Sequence, residues 1–404
     1  MPMTEFPGVY IEEVPTGAQS IEGVSTSTAG FIGRAPRAEI AEPRIVHSFG
    51  DYERRFGGIR DTGTSTLGDA LSLSVQAFFA NGGTRAWIAP LARRGAERAR
   101  YTKALASLDR MRDIAMICLP GVAAGTRLGA AVLPLAIAAV EKLQSRMLIV
   151  DPPSGAVLAG AADVEKLRLP ASSFAALYYP WVKVRNPYAA GATRARRPAA
   201  LFVPPSGFAA GVWARSEAGK GVWAAPAGAD AVVRAAQGLA REVTASTLRR
   251  LAPVGVNGLR ALPTGIALWG ARTLAPRGDH EWKYVNVRRL AIFIERSIAT
   301  GMQWALFEPN AEPLWARLRD RSAALLVDLW RQGALPGRRP EEAFWVRCDR
   351  STMTQHAIDA GLVIVTIGFA PLKPSEFVVV RIGLWTADRH DPCAPPRGPE
   401  PESR

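Results

Sequence analysis

IAMICL (114–119), LGAAVLPLAIAAVEKL (128–143) and MLIV (147–150) follow one another, and their order decides the fold. The outer two are apolar at both parities, so each buries both faces if extended, and each is too short for a helix. The segment between them is long enough for an amphipathic helix. Strands apolar on both faces, separated by helices, form a parallel sheet covered on both sides. The same alternation extends outward. TAGFIG (28–33) and RAWIAP (85–90) read as strands, and 67–79 as a helix stopping at Asn81-Gly82-Gly83. A helix at 101–112 and a strand at 174–179 complete the unit.

Residues 185–226 are rich in Gly, Pro and Arg and read as a loop or hairpin, with a short helix after Pro204-Pro205 that includes Trp213. A second α/β unit occupies the C-terminal third. Val287, Leu290, Ala291, Ile294 and Ile298 make one stripe on a helix at 284–298, leaving Arg289 and Arg296 on a neighbouring face. A strand is expected at 303–307, and Asn310 as the cap of the next helix, which ends near Gly333. Strands follow at 343–348, 362–368 and 376–382. At the other end, Pro7-Gly8 and Pro15-Thr16-Gly17 bracket Val9-Tyr10-Ile11, an isolated strand on an acidic segment. It suits either an arm that pairs outside its own core or an edge strand of the chain's own sheet.

The 404 residues carry 50 basic and 36 acidic side chains, a net charge of +14. With 48% hydrophobic residues and a mean hydropathy of +0.03, a disordered chain is excluded. No apolar run reaches membrane-spanning length, and the first residues lack the basic start and apolar core of a leader. Folding in a reducing cytoplasm without a signal peptide is the expectation, since Cys118, Cys348 and Cys393 are far apart. Only seven of the basic residues are lysine, an arginine bias matching GC-rich coding, so a basic face toward an acidic protein is favoured over nucleic acid.

Catalytic patterns are missing or broken. No GxGxxG follows a strand, and no GxSxG elbow is present. Around Gly219-Lys220, Ala214 replaces the first glycine of a phosphate loop, and Gly221 stands where Ser or Thr would bind magnesium. His47, His280, His356 and His390 are scattered; His356 near Asp349 and Asp359 reads as a polar connection between strands. No catalytic residue, metal or cofactor is expected. The rival readings, an α/β hydrolase-like enzyme and a basic nucleic-acid-binding protein, lack a motif.

An ordered series of segments carries a resemblance. GVNGLR (255–260), GIALWGARTL (265–274), WKYVNVRRLAIFIERSI (282–298) and QWALFEPN (303–310) precede PLW (313–315), GRRPEEAFWVRCD (337–349) and APLKPSEFVVVRI (370–382). Upstream stand FPGVYIEE (6–13), TAGFIGRA (28–35), FGDYERRFGG (49–58), FFANGGTRAWI (78–88) and VPPSGFAAGVWARSEAGKGVWAAPAG (203–228). The chain resembles the sheath proteins of contractile phage tails and related bacterial contractile injection systems.

The resemblance implies a mostly parallel covered sheet of subtilisin-like topology without catalysis, plus a compact C-terminal α/β domain with N- and C-terminal strand arms. The expected boundaries are an arm at 1–25, the α/β domain at 26–275, the C-terminal core and arm strand at 276–388, and a disordered Pro-rich tail at 389–404. It further implies stacked six-fold rings that contract around an inner tube, with baseplate and terminal cap proteins as partners. Val9, Tyr10 and Ile11, and Phe377, Val378, Val379 and Val380, would be inter-subunit arm strands. Arg288, Arg289, Arg296, Arg338 and Arg339 are the candidates for facing an acidic tube. The large inserted domains of longer family members are absent, which implies a thin, smooth sheath.

Overall fold

The computed structural model describes residues 21–37, 42–60, 69–189 and 198–374. The expected arm strands at 9–11 and 376–382, the Pro-rich tail, Cys393 and residues 190–197 of the Gly-, Pro- and Arg-rich stretch lie outside the described residues.

In chain order, β1 (Ala29–Gly33), β2 (Arg44–Val46), α1 (Phe49–Phe56), α2 (Ala70–Ala80), β3 (Ala86–Pro90) and α3 (Glu97–Asp109) come first. Next are β4 (Met116–Ala123), α4 (Arg127–Leu143), β5 (Met147–Asp151), α5 (Ala161–Glu165) and β6 (Ala175–Tyr179). A hairpin, β7 (Val182–Arg185) and β8 (Ala200–Val203), leads into α6 (Pro205–Lys220) and β9 (Gly238–Leu239). Then come α7 (Ala245–Leu251), β10 (Val256–Leu262) and β11 (Gly265–Trp269). The C-terminal part contains α8 (Val285–Gly301), α9 (Glu312–Arg331), α10 (Pro340–Ala343), β12 (Phe344–Arg347), α11 (Gln355–Asp359) and β13 (Thr366–Phe369).

The principal sheet has eight strands in the order β11-β10-β6-β5-β4-β1-β3-β2. The strands from β10 to β3 run parallel, and β11 and β2 close the two edges antiparallel. Residues of β1, β5 and β6 are buried at every position, the signature of a sheet covered on both faces. The covering helices are visible from β1. A side chain at Gly30 would point at Leu108 of α3, and one at Gly33, on the opposite face, at Leu71 of α2.

α6 is longer than its sequence suggests, and its first ten residues are buried. It packs on α2 through glycines. A Cβ on Gly207 would lie 2.4 Å from the Ser74 carbonyl oxygen, and one on Gly211 2.6 Å from that of Phe78. Deeper in, Trp213 Nε1 donates to the Tyr178 hydroxyl at 2.9 Å, with both side chains fully buried. The helix expected here is short; burial of its first half on all sides lets it run on to Lys220.

Two readings of the C-terminal third are corrected. Residues 303–307 are not a strand: Gln303–Ala305 forms a 3-10 turn, and Leu306 and Phe307 stand exposed beyond it. The short apolar run spans the gap between α8 and α9, where no strand lies alongside to complete a ladder. Asn310 does not cap α9, whose N-cap is Ala311. Its amide instead donates to the Ile358 and Leu362 carbonyls, and its oxygen accepts from Trp315 Nε1 at 2.7 Å.

Candidate functional site

α8 joins the main hydrophobic core to a second cluster shared with α9. Val285 and Ile292 enter the main core, whereas Leu290, Ile294 and Ile298 pack with Leu325, Leu326 and Leu329 of α9. The expected stripe of Val287, Leu290, Ala291, Ile294 and Ile298 is buried throughout.

A second line runs along α8 at four-residue spacing: Arg289, Phe293, Ser297 and Gly301. The segment from Ile21 to Thr28 lies on it. Gly301 is opposite Ile21, where a Cβ would come within 2.8 Å, and Gly23 is opposite the Phe293 ring at 2.6 Å by the same measure. Ser297 Oγ accepts from the Val24 amide at 3.1 Å. Glu217 Oε1 on α6 accepts from the Thr26 amide at 3.1 Å, and Arg289 Nη2 donates to the Thr26 carbonyl at 3.0 Å. Arg289 also pairs with Glu217 Oε2 at 2.6 Å, with only 3% of its side chain exposed. Burial depresses the guanidinium pKa, and Glu217 pushes it back up. Removing one member of such a buried pair costs about 3–5 kcal/mol.

The first turn of α8 holds the other end of the described chain. Asn286 Nδ2 donates to the Trp223 carbonyl at 2.9 Å and to that of Leu372 at 3.0 Å. Lys373 Nζ donates to the His280 carbonyl at 3.1 Å. One helix therefore grips the chain near residue 21 and near residue 372.

Beside α9 lies a two-stranded sheet. β12 and β13 pair antiparallel, Phe344 opposite Phe369 and Arg347 opposite Thr366. Phe344, Val346, Ile367 and Phe369 pack inward on the cluster that contains Ile21, Leu290 and Ile294. Trp345 faces outward, 46% exposed, and covers Gly368, where a Cβ would meet the indole at 2.3 Å. Among the described residues, neither strand has another ladder partner. Upstream of β13, Val363 and Val365 pack inward while Leu362 and Ile364 stay exposed, so strand-like alternation begins before the ladder does.

The arginine candidates divide. Arg288 is buried between Phe174 and Trp282, its guanidinium 4.3 and 3.5 Å from their ring centres, and donates to Ser173 Oγ at 2.6 Å. Burial lowers its pKa to about 10, so it stays charged at neutral pH. Arg288 and Arg289 are thus engaged inside the protomer, which corrects the expectation that they face a tube. Two aromatic faces and a carboxylate supply what solvent would. Arg296 is half-buried and bonded to the Arg112 carbonyl. Arg338 and Arg339 are exposed in the loop before α10, beside Glu341 and Glu342. His356 lies exposed on α11, and among the described residues no three His, Cys, Asp or Glu side chains converge as metal ligands. No described helix is long and apolar enough to cross a membrane.

Residues 94–274 match the family model for the phage tail sheath protein central domain, and residues 278–384 that for the phage tail sheath C-terminal domain. Among solved structures, the sheath complex of an extracellular contractile injection system, PVC, in its contracted state is 31% identical. The match covers 95% of this chain and 98% of that one, with a TM-score of 0.73. The helical sheath of the anti-feeding prophage in its contracted state is 29% identical over 94% of this chain and 99% of that one, at a TM-score of 0.75. A sheath tail protein from Listeria innocua shares the fold at 10% identity and a TM-score of 0.58, covering 88% of this chain and 97% of that one. No curated protein matches the chain. A helix that holds the chain near residues 21 and 372, a small sheet with no further ladder partner among the described residues, and these likenesses agree: the chain belongs to the contractile sheath family of phage tails and contractile injection systems.

Proposed function

We propose that the protein is the repeating, non-enzymatic protomer of a contractile sheath, stacked in six-fold rings around an inner tube between a baseplate and a terminal cap. The observation that carries this reading is the β12–β13 sheet, solid on its inner face and without a third strand among the described residues. An unpaired edge is a template for another chain, and strand addition satisfies its backbone groups. Residues 9–11 and 377–380 are the proposed donors, each reaching the sheet of a neighbouring protomer. Each ladder bond contributes about 0.5–1.5 kcal/mol net, so one short strand holds weakly. Many arms around a ring hold firmly, because each further contact forms at high effective concentration. A mesh joined by strands stays linked while its subunits rotate, which contraction requires.

Contact with the tube falls to Arg338 and Arg339, the two candidates with exposed side chains. Deleting residues 1–20 tests the reading. The truncated protein should melt cooperatively near the full-length temperature, scatter light as a monomer and form no tubes by negative-stain microscopy. Tubes of normal diameter from the truncated chain would refute arm exchange.

A further inference from the structure

We propose that Glu217, Arg289 and Ser297 are positioning residues for the N-terminal arm, fixing the register and direction in which the chain leaves the protomer. The proposal rests on the reading that residues 1–20 are an exchanged arm, and it concerns the described strap at Ile21–Thr28.

A buried ion pair is a poor way to gain stability alone, since apolar side chains of similar volume serve as well or better. This pair does something apolar side chains cannot. Glu217 accepts from the amide of Thr26, and Arg289 donates to the carbonyl of the same residue. The two charges thus read both main-chain groups of one residue. Running the chain through this position in the opposite direction would set a carbonyl against the carboxylate and an amide against the guanidinium. Ser297 adds a third point at the Val24 amide, a little over three turns from the start of α8. Gly23 and Gly301 let the strap lie close enough for these bonds to form.

Register matters because the strap sets the starting point of the whole arm. A slip of one residue displaces an extended arm by about 3.3 Å and turns every side chain of a pairing strand to the other face. A strap held loosely would deliver Val9 and Ile11 to a neighbour in mixed registers, and a helical lattice does not tolerate mixed registers.

The test uses the full chain carrying Thr26→Pro with Ser297→Ala, which removes two strap bonds and leaves the Arg289–Glu217 pair in place. Hydrogen exchange at residues 22–28, the melting temperature and electron microscopy are compared with wild type, with the 1–20 deletion and with Ser297→Thr, which keeps the hydroxyl. The double variant should melt within about 3 °C of wild type, exchange its strap amides at least tenfold faster, and fail to build sheath of uniform diameter. Ser297→Thr should assemble normally. Wild-type sheath from the double variant, while the 1–20 deletion builds none, overturns the positioning role but leaves the arm reading standing. Normal sheath from the deletion itself overturns the arm reading and, with it, this proposal. Collapse of the double variant's melt shows the strap to be ordinary core, and the positioning role fails.

Discussion

Asp151 ends β5 beneath the first turn of α6, fully enclosed, where Ser206 donates its amide to Oδ1 at 2.8 Å and its hydroxyl to Oδ2 at 2.6 Å. The buried Cys118 thiol lies on the other side, donating to the Ser206 carbonyl. Desolvation raises the Asp151 pKa to about 7, against the two bonds from Ser206 that lower it. A carboxyl raised on folding contributes its full stability below the unfolded value near 3.8, and loses it as pH climbs through 7. Wild type should therefore lose up to about 1.4 kcal/mol per pH unit across that window at this site. Asp151→Asn keeps the bond from the Ser206 amide to Oδ1, reverses the second so that Nδ2 donates to the Ser206 hydroxyl, and removes the titration. Urea melts at pH 5, 6 and 7 should show the variant gaining on wild type as pH rises; a constant difference would refute the assignment. Gly207 is a steric counterpart. Gly207→Ala pushes a methyl into the α2 backbone, where nothing flexible can yield, and should cost about 1–3 kcal/mol or more in a thermal melt.

At the scale of elements, the proposed arm strand at 9–11 is where the sheath reading is most sensitive. Val9→Pro or Ile11→Pro removes a ladder donor and restricts the preceding residue. Because Val9, Tyr10, Ile11 and Val14 offer too little apolar surface to support the protomer core, each variant should melt like wild type yet form no sheath by microscopy. A lowered melting temperature would place the strand in the protomer's own sheet instead. The connection at 303–307 shows how an element is misread. Its apolar letters match a strand, but Leu306 and Phe307 are exposed and Phe307 takes a left-handed backbone conformation at φ 71. A run of that length does not distinguish a ladder from a turn.

For the whole molecule, the formal charge of +14 exaggerates the basic surface, because arginines such as Arg288, Arg289 and Arg146 are buried. The proposed tube contact through Arg338 and Arg339 should still weaken with salt, since exposed charges are screened within about 8–10 Å at physiological ionic strength. Co-sedimentation with tube should fall from low to high salt and fall further for Arg338→Glu with Arg339→Glu. Binding unchanged in both comparisons would rule out this contact. Peptide and nucleotide substrates should not be turned over; turnover abolished by one point mutation in this chain would refute the non-enzymatic reading.

Periodicity alone determined the covered parallel sheet, because strands such as 114–119 and 147–150 must bury both faces wherever the chain takes them. The stripe of α8 was legible for the same reason: five apolar residues at helical spacing have only one way to leave water. The order of segments from 255 to 382 carried the resemblance to the sheath family. The tertiary structure alone decided which arginines are spent inside. Arg289 and Arg338 are identical as letters, but Arg289 is enclosed with Glu217, from 72 residues away, and with the Thr26 carbonyl. The strap was invisible for a related reason. Arg289, Phe293, Ser297 and Gly301 share no common chemistry, and they become one surface only when Ile21 to Thr26 lies across them, bonded over separations as long as 273 residues. Local pattern reports what must be buried; which partner buries it is set by contacts between segments distant in the chain.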